Sequence, residues 1–378
     1  MSGKVIAAGH ICLDITPVFP KGRTCAGPED ILVPGKLIAM DQADVHTGGS
    51  VANTGLALKL LGNDVTLLGK VGDDDFGRMI AQILYRYGAG GLITAPGTST
   101  SYSVVLALPD IDRIFLHHPG ANDTFSAEDV PDSALDDAVL FHFGYPPIMR
   151  KMYENDGEEL AALFRRVKAR GIATSLDLAA VDAGSDAGKA DWKAILQKVL
   201  PDVDFFLPSF EELCFMLKPE KYRALNAQGG DMTERLDPAR DVAPLLDEVI
   251  GYGCGVAVIK CGKAGMAWKT ADEANLCRVG ERLRLDSAAW ADRGGFQPCF
   301  RADTVLSATG AGDTSIAAFL TAVLQKRGPE ECVALAAAEG ACAVTSYDAL
   351  GGLKSLTELE ERIRNGWKTI PGGTNPVE

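Results

Sequence analysis

The sequence predicts an α/β protein, a mostly parallel sheet with helices on both faces. Two observations carry that prediction. Short apolar runs recur at Val5 to Ala8, Val65 to Gly69, Val139 to Phe143, Ala173 to Leu178, Phe205 to Leu207 and Val256 to Lys260, with helical patterns between them. Strands buried on both faces and joined by crossover helices read this way. Asp14, Ser209, Gly262 and Asp313 each follow such a run, and ligands of parallel α/β sheets bind beyond the C-terminal strand ends.

Taken in order, the first strand runs into Ile11 to Asp14, and the stretch from Thr16 to Asp44 is turn-rich, with Pro17, Pro20, Gly22, Gly27, Pro28, Pro34 and Gly35. A helix opens after Gly48-Gly49, continues through Leu56, Leu60 and Leu61 and stops at Gly62; the strand from Val65 and a turn reaching Gly77 follow. From Thr98 to His118 the residues alternate as strands do, with a turn at Pro109 to Asp112. The segments at about 16–44 and 98–118 are candidates for a small β lid, with an ordinary edge hairpin as the alternative. Lys218 to Asp241 reads as a polar loop, Thr270 to Arg301 as an excursion between late strands, and 371–378 as a disordered tail. The expectation is one domain over 1–370.

Composition narrows the function. With 378 residues and 47% apolar content the chain can bury a large core. A formal net charge of -14 excludes the basic surface that nucleic acid or an anionic membrane would need. No apolar stretch reaches membrane-span length, and Met1 to Val5 leads into a strand without a signal-peptide core. Nine cysteines without a C-x-x-C pair read as reduced thiols of a cytoplasmic protein. The five histidines show no metal-ligand spacing.

The densest chemical signal is Thr309-Gly310-Ala311-Gly312-Asp313-Thr314, followed by an apolar helical run from Ile316 to Leu324. Small residues before a helix leave NH groups bare, and with the positive helix end those groups hold an anion. Asp313 beside that anion can accept a proton from an attacking hydroxyl; a glycine turn capped by Asp is the plain structural alternative. A second glycine signature, Gly48-Gly49-Ser50-Val51-Ala52-Asn53, opens the earlier helix. Ser209-Phe210-Glu211-Glu212 has the form of a capping box.

These two signatures, in this order, with Ile11 to Asp14, Pro119-Gly120-Ala121-Asn122, Leu207-Pro208-Ser209 with Glu212, and Lys260-Cys261-Gly262, resemble the ribokinase-like (PfkB) family of sugar and nucleoside kinases over about residues 4 to 350. The resemblance implies a single ribokinase-like kinase with a β lid, using ATP and Mg2+ to phosphorylate a hydroxymethyl group of a sugar or sugar acid. Asp313 is then the base, and Gly310, Ala311 and Gly312 form the anion hole. Asp14, Gly49, Asn53 and Arg113 bind the acceptor. Ser209, Lys260, Gly262 and Gly265 line the nucleotide side, and Glu212 orders the metal. The alanine-rich helix from Val333 to Thr345 walls the adenine or simply packs. The resemblance further implies a homodimer formed through the lid, and the Gly-Gly-Ser-x-Ala-Asn form points to fructokinase-like and ketodeoxygluconate-kinase-like members. Ser209 stands where the family carries Asn. Ser307 and Ala308 stand where it reads Asp-Thr, and Asp303 lies too early to replace that Asp, so no potassium requirement is expected. A nucleoside kinase and a non-catalytic sugar-binding regulator are the alternatives. A Rossmann dehydrogenase is disfavoured, because Gly9 to Cys12 has no G-x-G-x-x-G run.

Overall fold

The computed structural model describes residues 3–25, 27–108 and 113–370. The turn expected at 109–112 and the tail at 371–378 lie outside the described residues. In chain order the strands are β1 (Lys4–Gly9), β2 (Cys12–Thr16), β3 (Asp44–Gly48), β4 (Val65–Gly72), β5 (Ile93–Ala95), β6 (Tyr102–Leu106), β7 (Ile114–His118), β8 (Ala138–Gly144), β9 (Ala173–Asp177), β10 (Phe205–Phe206), β11 (Val256–Lys260), β12 (Gly265–Thr270) and β13 (Gly294–Pro298).

Nine of them form one sheet in the order β13-β12-β11-β10-β9-β8-β1-β4-β5. From β11 to β5 every pairing is parallel; β12 and β13 join antiparallel at one edge. The strand runs look continuously apolar because both faces are covered. Ile6 and Ala8 of β1 pack with Phe141, Phe143 and Phe164. Val5 faces the other way, into a cluster with Phe205, Phe319 and Leu335. Helices Trp192–Val199 and Phe210–Leu217 contribute to the first layer, and Ala311–Leu324 and Pro329–Ala343 to the second.

The second sheet has the order β3-β2-β6-β7. It is mixed: β2 pairs antiparallel with β3 and parallel with β6, and β6 pairs antiparallel with β7. The strands bracket the turn-rich segment, since β2 and β3 form at its two ends and most of 16–44 carries no strand. Two other segments differ from expectation. The stretch read as a loop from Lys218 holds a helix, Pro219–Asn226, and two further helical turns, Met232–Arg235 and Pro238–Val242. The 270–301 excursion holds short helices and ends in β13.

Candidate active site

Five adjacent strands deliver a row of side chains to one end of the sheet. Lys260 ends β11, Ser209 follows β10, Asp177 ends β9, Tyr145 follows β8 and His10 follows β1. A bridge between Ser209 and Lys260 extends the β10–β11 pairing by one step and fixes those two side by side.

Helix Ala311–Leu324 starts against this row. Gly310 precedes it in a left-handed conformation (φ 72°), where a Cβ would lie 2.2 Å from that of Ala349. Only glycine fits both restrictions. The Ala311 NH turns back onto the Ala308 carbonyl at 3.3 Å. Among the described residues, then, the NH groups of Gly310, Gly312 and Asp313 in this turn have no backbone acceptor; those of Gly312 and Asp313, in the first turn of the helix, can receive an anion. Lys260 adds charge at the same place, because a Cβ on Gly312 would stand 3.6 Å from its Nζ. The Lys260 ammonium is paired with Asp177 at 2.8 Å. Burial opposes its charge, but Asp177, Glu212 and Asp313 together hold it above its ordinary value. Burial pushes the Asp177 carboxyl up to about 8, with Lys260 opposing and Glu212 and Asp313 adding.

Asp313 is 4% exposed and is held by three side chains. Asn53 Nδ2 donates to Oδ2 and Thr54 Oγ1 to Oδ1, each at 3.0 Å. The Tyr145 hydroxyl lies 2.9 Å from Oδ1 and 2.8 Å from Oδ2. Asn53, expected to meet the acceptor, gives its amide nitrogen to this carboxylate.

The lid supplies the opposite wall. Asp14 on β2 accepts from Cys12 Sγ at 3.2 Å. Burial raises its carboxyl above the usual range, with the Asp313 charge adding and Cys12, Ser103 and His46 opposing. A Cβ on Gly48 would come 2.1 Å from Asp14 Oδ2, so Gly48 makes room for this carboxylate, and one on Gly49 would come 2.6 Å from His10 Nδ1. Gly49 itself takes φ 84° as cap of helix Ser50–Leu60. Ser50 faces inward, 3.2 Å from His142 Nε2. His10 is buried, and burial followed by His117 keeps its imidazole well below its ordinary value and neutral. Asn122 clamps the chain between β1 and β2, accepting from Ile11 NH at 3.2 Å and donating to Ile11 O at 2.8 Å. Arg113 reaches from the lid to the loop before the anion turn, donating to Thr309 Oγ1 and, at 3.4 Å, to Ser307 Oγ.

On the expected nucleotide side, Ser209 and Glu212 do form a capping box. Glu212 Oε2 accepts from Ser209 NH at 2.8 Å, and Ser209 Oγ from Glu212 NH at 3.3 Å. Gly262 (φ 53°) packs beneath Thr233 of the helical insertion, and Lys263 pairs with Glu234 of that insertion at 2.7 Å. Gly265 (φ 130°) is pressed against β13, where a Cβ would meet Gln297 O at 2.1 Å, so its place is set by strand packing. The alanine-rich helix Pro329–Ala343 lies against helix Ala311–Leu324 and is buried along most of its length. Val305, Leu306 and Tyr347, all exposed, stand on the two loops beside Gly310; the Leu306 and Ser307 NH groups both reach Val344 O.

Thr54, Tyr145 and Asp177 were not singled out from the sequence. The strand-end rule that located Asp14 and Ser209 would have pointed to Tyr145 and Asp177, which close the runs at β8 and β9.

A parallel sheet covered on both faces, with an acid-bearing glycine turn at its C-terminal edge and a small β sheet over it, defines a ribokinase-like fold. The chain belongs to the pfkB family of carbohydrate kinases, whose model matches residues 21–355. Fructokinase-1 of Zea mays is 31% identical over 144 residues, 37% of this chain and 41% of that protein. The matched stretch thus spans about two fifths of the length of this relative. A fructokinase of Xylella fastidiosa with bound ATP superimposes with a TM-score of 0.69 at 20% identity, over 97% of this chain and 99% of that one. An E. coli protein described as ribokinase II, in complex with ATP and Mg2+, gives 0.67 at 20% identity over 96% and 99%.

Proposed function

We propose that the protein is an ATP-dependent kinase that transfers the γ-phosphoryl group to a hydroxymethyl group of a sugar or sugar acid, with Asp313 as the base. One observation carries the reading. A buried carboxylate held by three donors stands in the first turn of a helix whose open NH groups and neighbouring Lys260 suit a phosphate, beneath a lid carboxylate that suits sugar hydroxyls. Asp14, acceptor-only with two oxygens, takes hydrogen bonds from adjacent hydroxyls, and Gly49 lets the acceptor approach the backbone. As the acceptor oxygen bonds to the γ-phosphorus, its proton passes towards Asp313 and the bond to the β-phosphate oxygen breaks, releasing ADP. Lys260 and the NH groups of Gly312 and Asp313 stabilise the charge gathering on the transferring group.

Glu212 is the candidate for a magnesium role besides its cap on Ser209: its charge is felt by Tyr145, Asp177 and Lys260, which supports acid near the proposed phosphate seat. Mg2+ bound there would neutralise phosphate charge. Gly262, Ser209 and the exposed Val305 and Tyr347 are the candidates for holding the nucleotide. Fructose is the first acceptor to test, given the fructokinases among the relatives. We further infer a cytoplasmic homodimer; nine cysteines without a C-x-x-C pair support the compartment, and the exposed Phe115 and Leu116 on the lid edge support the pairing.

Phosphorylation of a panel of sugars, sugar acids and nucleosides tests the reading, with Asp313→Asn as the control. The variant should lose about 10²- to 10⁴-fold in kcat while ATP affinity holds. Near-normal turnover of Asp313→Asn would remove Asp313 as the base.

A further inference from the structure

We propose that the acceptor is an uncharged sugar, and that His117 is the lid residue that discriminates against sugar acids. The inference rests on the reading of the site as that of a sugar kinase and narrows its substrate to one class. It follows from the direction of each hydrogen bond on the wall that carries Asp14.

Asp14, Ser103 and His117 form one row across the lid. Asp14 of β2 is in register with Ser103 of β6, and Ser103 with His117 of β7, so the three side chains share a face of the sheet. That face is turned to Asp313, whose charge reaches Asp14.

The protons along the row can be placed one by one. Cys12 Sγ gives Asp14 a hydrogen bond at 3.2 Å, and Ser103 gives it another. An ionised carboxylate only accepts, and a hydroxyl has one proton to give. Ser103 Oγ, its proton spent on Asp14, accepts from His117 Nδ1–H at 3.1 Å. A neutral imidazole protonated on Nδ1 carries a lone pair on Nε2, and part of the His117 side chain is open to the cleft. His10 repeats the pattern. Ser101 donates to His118 O at 2.7 Å, so its oxygen accepts from His10 Nε2–H at 3.3 Å. The lone pair on His10 Nδ1 is buried without a partner among the described residues, and the His10 and His117 rings lie 5.1 Å apart between centroids. Burial first, then His117, keeps His10 neutral; burial first, then His118, lowers the His117 imidazole to about 4.

Asp14, His117 and His10 thus offer lone pairs and no spare proton. The nearby cations are engaged: Arg113 with the Thr309 and Ser307 hydroxyls, Lys260 with Asp177, and His46 with Asp44 at 2.7 Å. Sugar hydroxyls supply the donors that such a wall lacks. A carboxylate brings two further acceptors and a negative charge against Asp14, and no side chain of this row has a proton to give it. Unpaired acceptors and like charges are how a site rejects a ligand close in shape to the right one.

The test is equilibrium binding at pH 8, which favours ionised Asp14, by titration calorimetry on the full chain with a non-hydrolysable ATP analogue bound. Matched pairs are compared: fructose with 2-ketogluconate, ribose with ribonate, glucose with gluconate. In each pair that binds, the neutral member should bind at least about 10²-fold more tightly. His117→Lys, which puts a charged donor on the row, should cut that ratio about tenfold or more by improving the acid. His117→Ala should weaken the neutral member about tenfold and leave the Kd of the nucleotide analogue within about threefold of the parent. An acid bound as tightly as its neutral partner, binding of neither member in any pair, or an unchanged ratio in a folded His117→Lys would overturn the proposal. The parent pairs decide even where a variant does not fold. Turnover separates the two readings: phosphorylation of acids in preference to their neutral partners keeps the kinase and removes the selection, whereas neutral sugars that bind selectively and are never phosphorylated remove the kinase reading alone.

Discussion

Asp14 reaches the site from the lid and Asn53 from a core helix, and the two side chains have different partners: Asp14 accepts from Cys12, whereas Asn53 donates to Asp313. With Asp14 proposed to bind the acceptor, Asp14→Ala should raise the acceptor KM, at a cost of about 1–3 kcal/mol for the lost hydrogen bonds, with the ATP KM unchanged. Because burial raises the Asp14 carboxyl, acceptor binding should fail, as pH falls, at a higher pH than an ordinary carboxylate would allow. Asn53 serves Asp313, so Asn53→Ala should act mainly on kcat, lowering it about tenfold through a loosened base. Steady-state kinetics over both substrates check this; an Asn53→Ala effect confined to acceptor KM would return the amide to the acceptor. At this scale the gathering of Asp14, Asn53 and Asp313 at one end of the sheet could be anticipated because each lies inside a local motif. Thr54 and Tyr145 were not, since they meet Asp313 across 259 and 168 residues of chain, and no spacing marks such a contact.

Helix Pro329–Ala343 shows what an element can conceal. Its small side chains let it lie close against helix Ala311–Leu324; a Cβ at Gly340 would come 2.7 Å from Ser315 Oγ. Next to Gly340 sits Glu339, fully buried, its Oε2 accepting from Lys354 NH at 3.1 Å and its Oε1 without a partner among the described residues. Burial pushes this carboxyl up to about 8 from an ordinary 4.5. Below the ordinary value both folded and unfolded chains keep the proton and nothing changes. Between the two values the unfolded chain ionises while the folded one stays protonated, so stability falls as pH rises through that window. Glu339→Gln removes the ionisation and should stabilise the protein at pH 8 by on the order of 1 kcal/mol or more, with a smaller gain at pH 5. Thermal unfolding at the two pH values checks it, and equal shifts would refute the ionisation argument. Elements were legible where periodicity was strong. Helix Pro219–Asn226 was read as loop because it has no buried residue to give it an apolar stripe; its order comes from Pro219 at its start and from Tyr222 against Phe215, ring centroids 5.3 Å apart.

Across the whole molecule the main sheet was legible, because six of its strands are buried on both faces and announce themselves as apolar runs. The antiparallel edge and the lid were less so. Half-covered strands alternate weakly, and β2 and β3, at the two ends of a long turn-rich segment, pair only through tertiary structure. The lid is also where assembly can be tested. In the order β3-β2-β6-β7, β7 is an edge strand, and neighbouring residues on a strand point to opposite faces. Phe115 and Leu116, successive on β7, are 53% and 55% exposed, so both faces of this edge are uncovered. A second copy of the chain laid along it would bury both side chains and satisfy the open backbone groups, the usual remedy for an exposed edge. Because the same sheet carries Asp14, that pairing would also steady the wall proposed to bind the acceptor. Replacing both residues, Phe115→Glu with Leu116→Glu, should convert a two-chain particle to a single chain in size-exclusion chromatography with light scattering, and raise the acceptor KM several-fold with kcat much less affected. A parent protein that is already a single chain at micromolar concentration, or a doubly charged variant that stays paired, would place the contact elsewhere or nowhere.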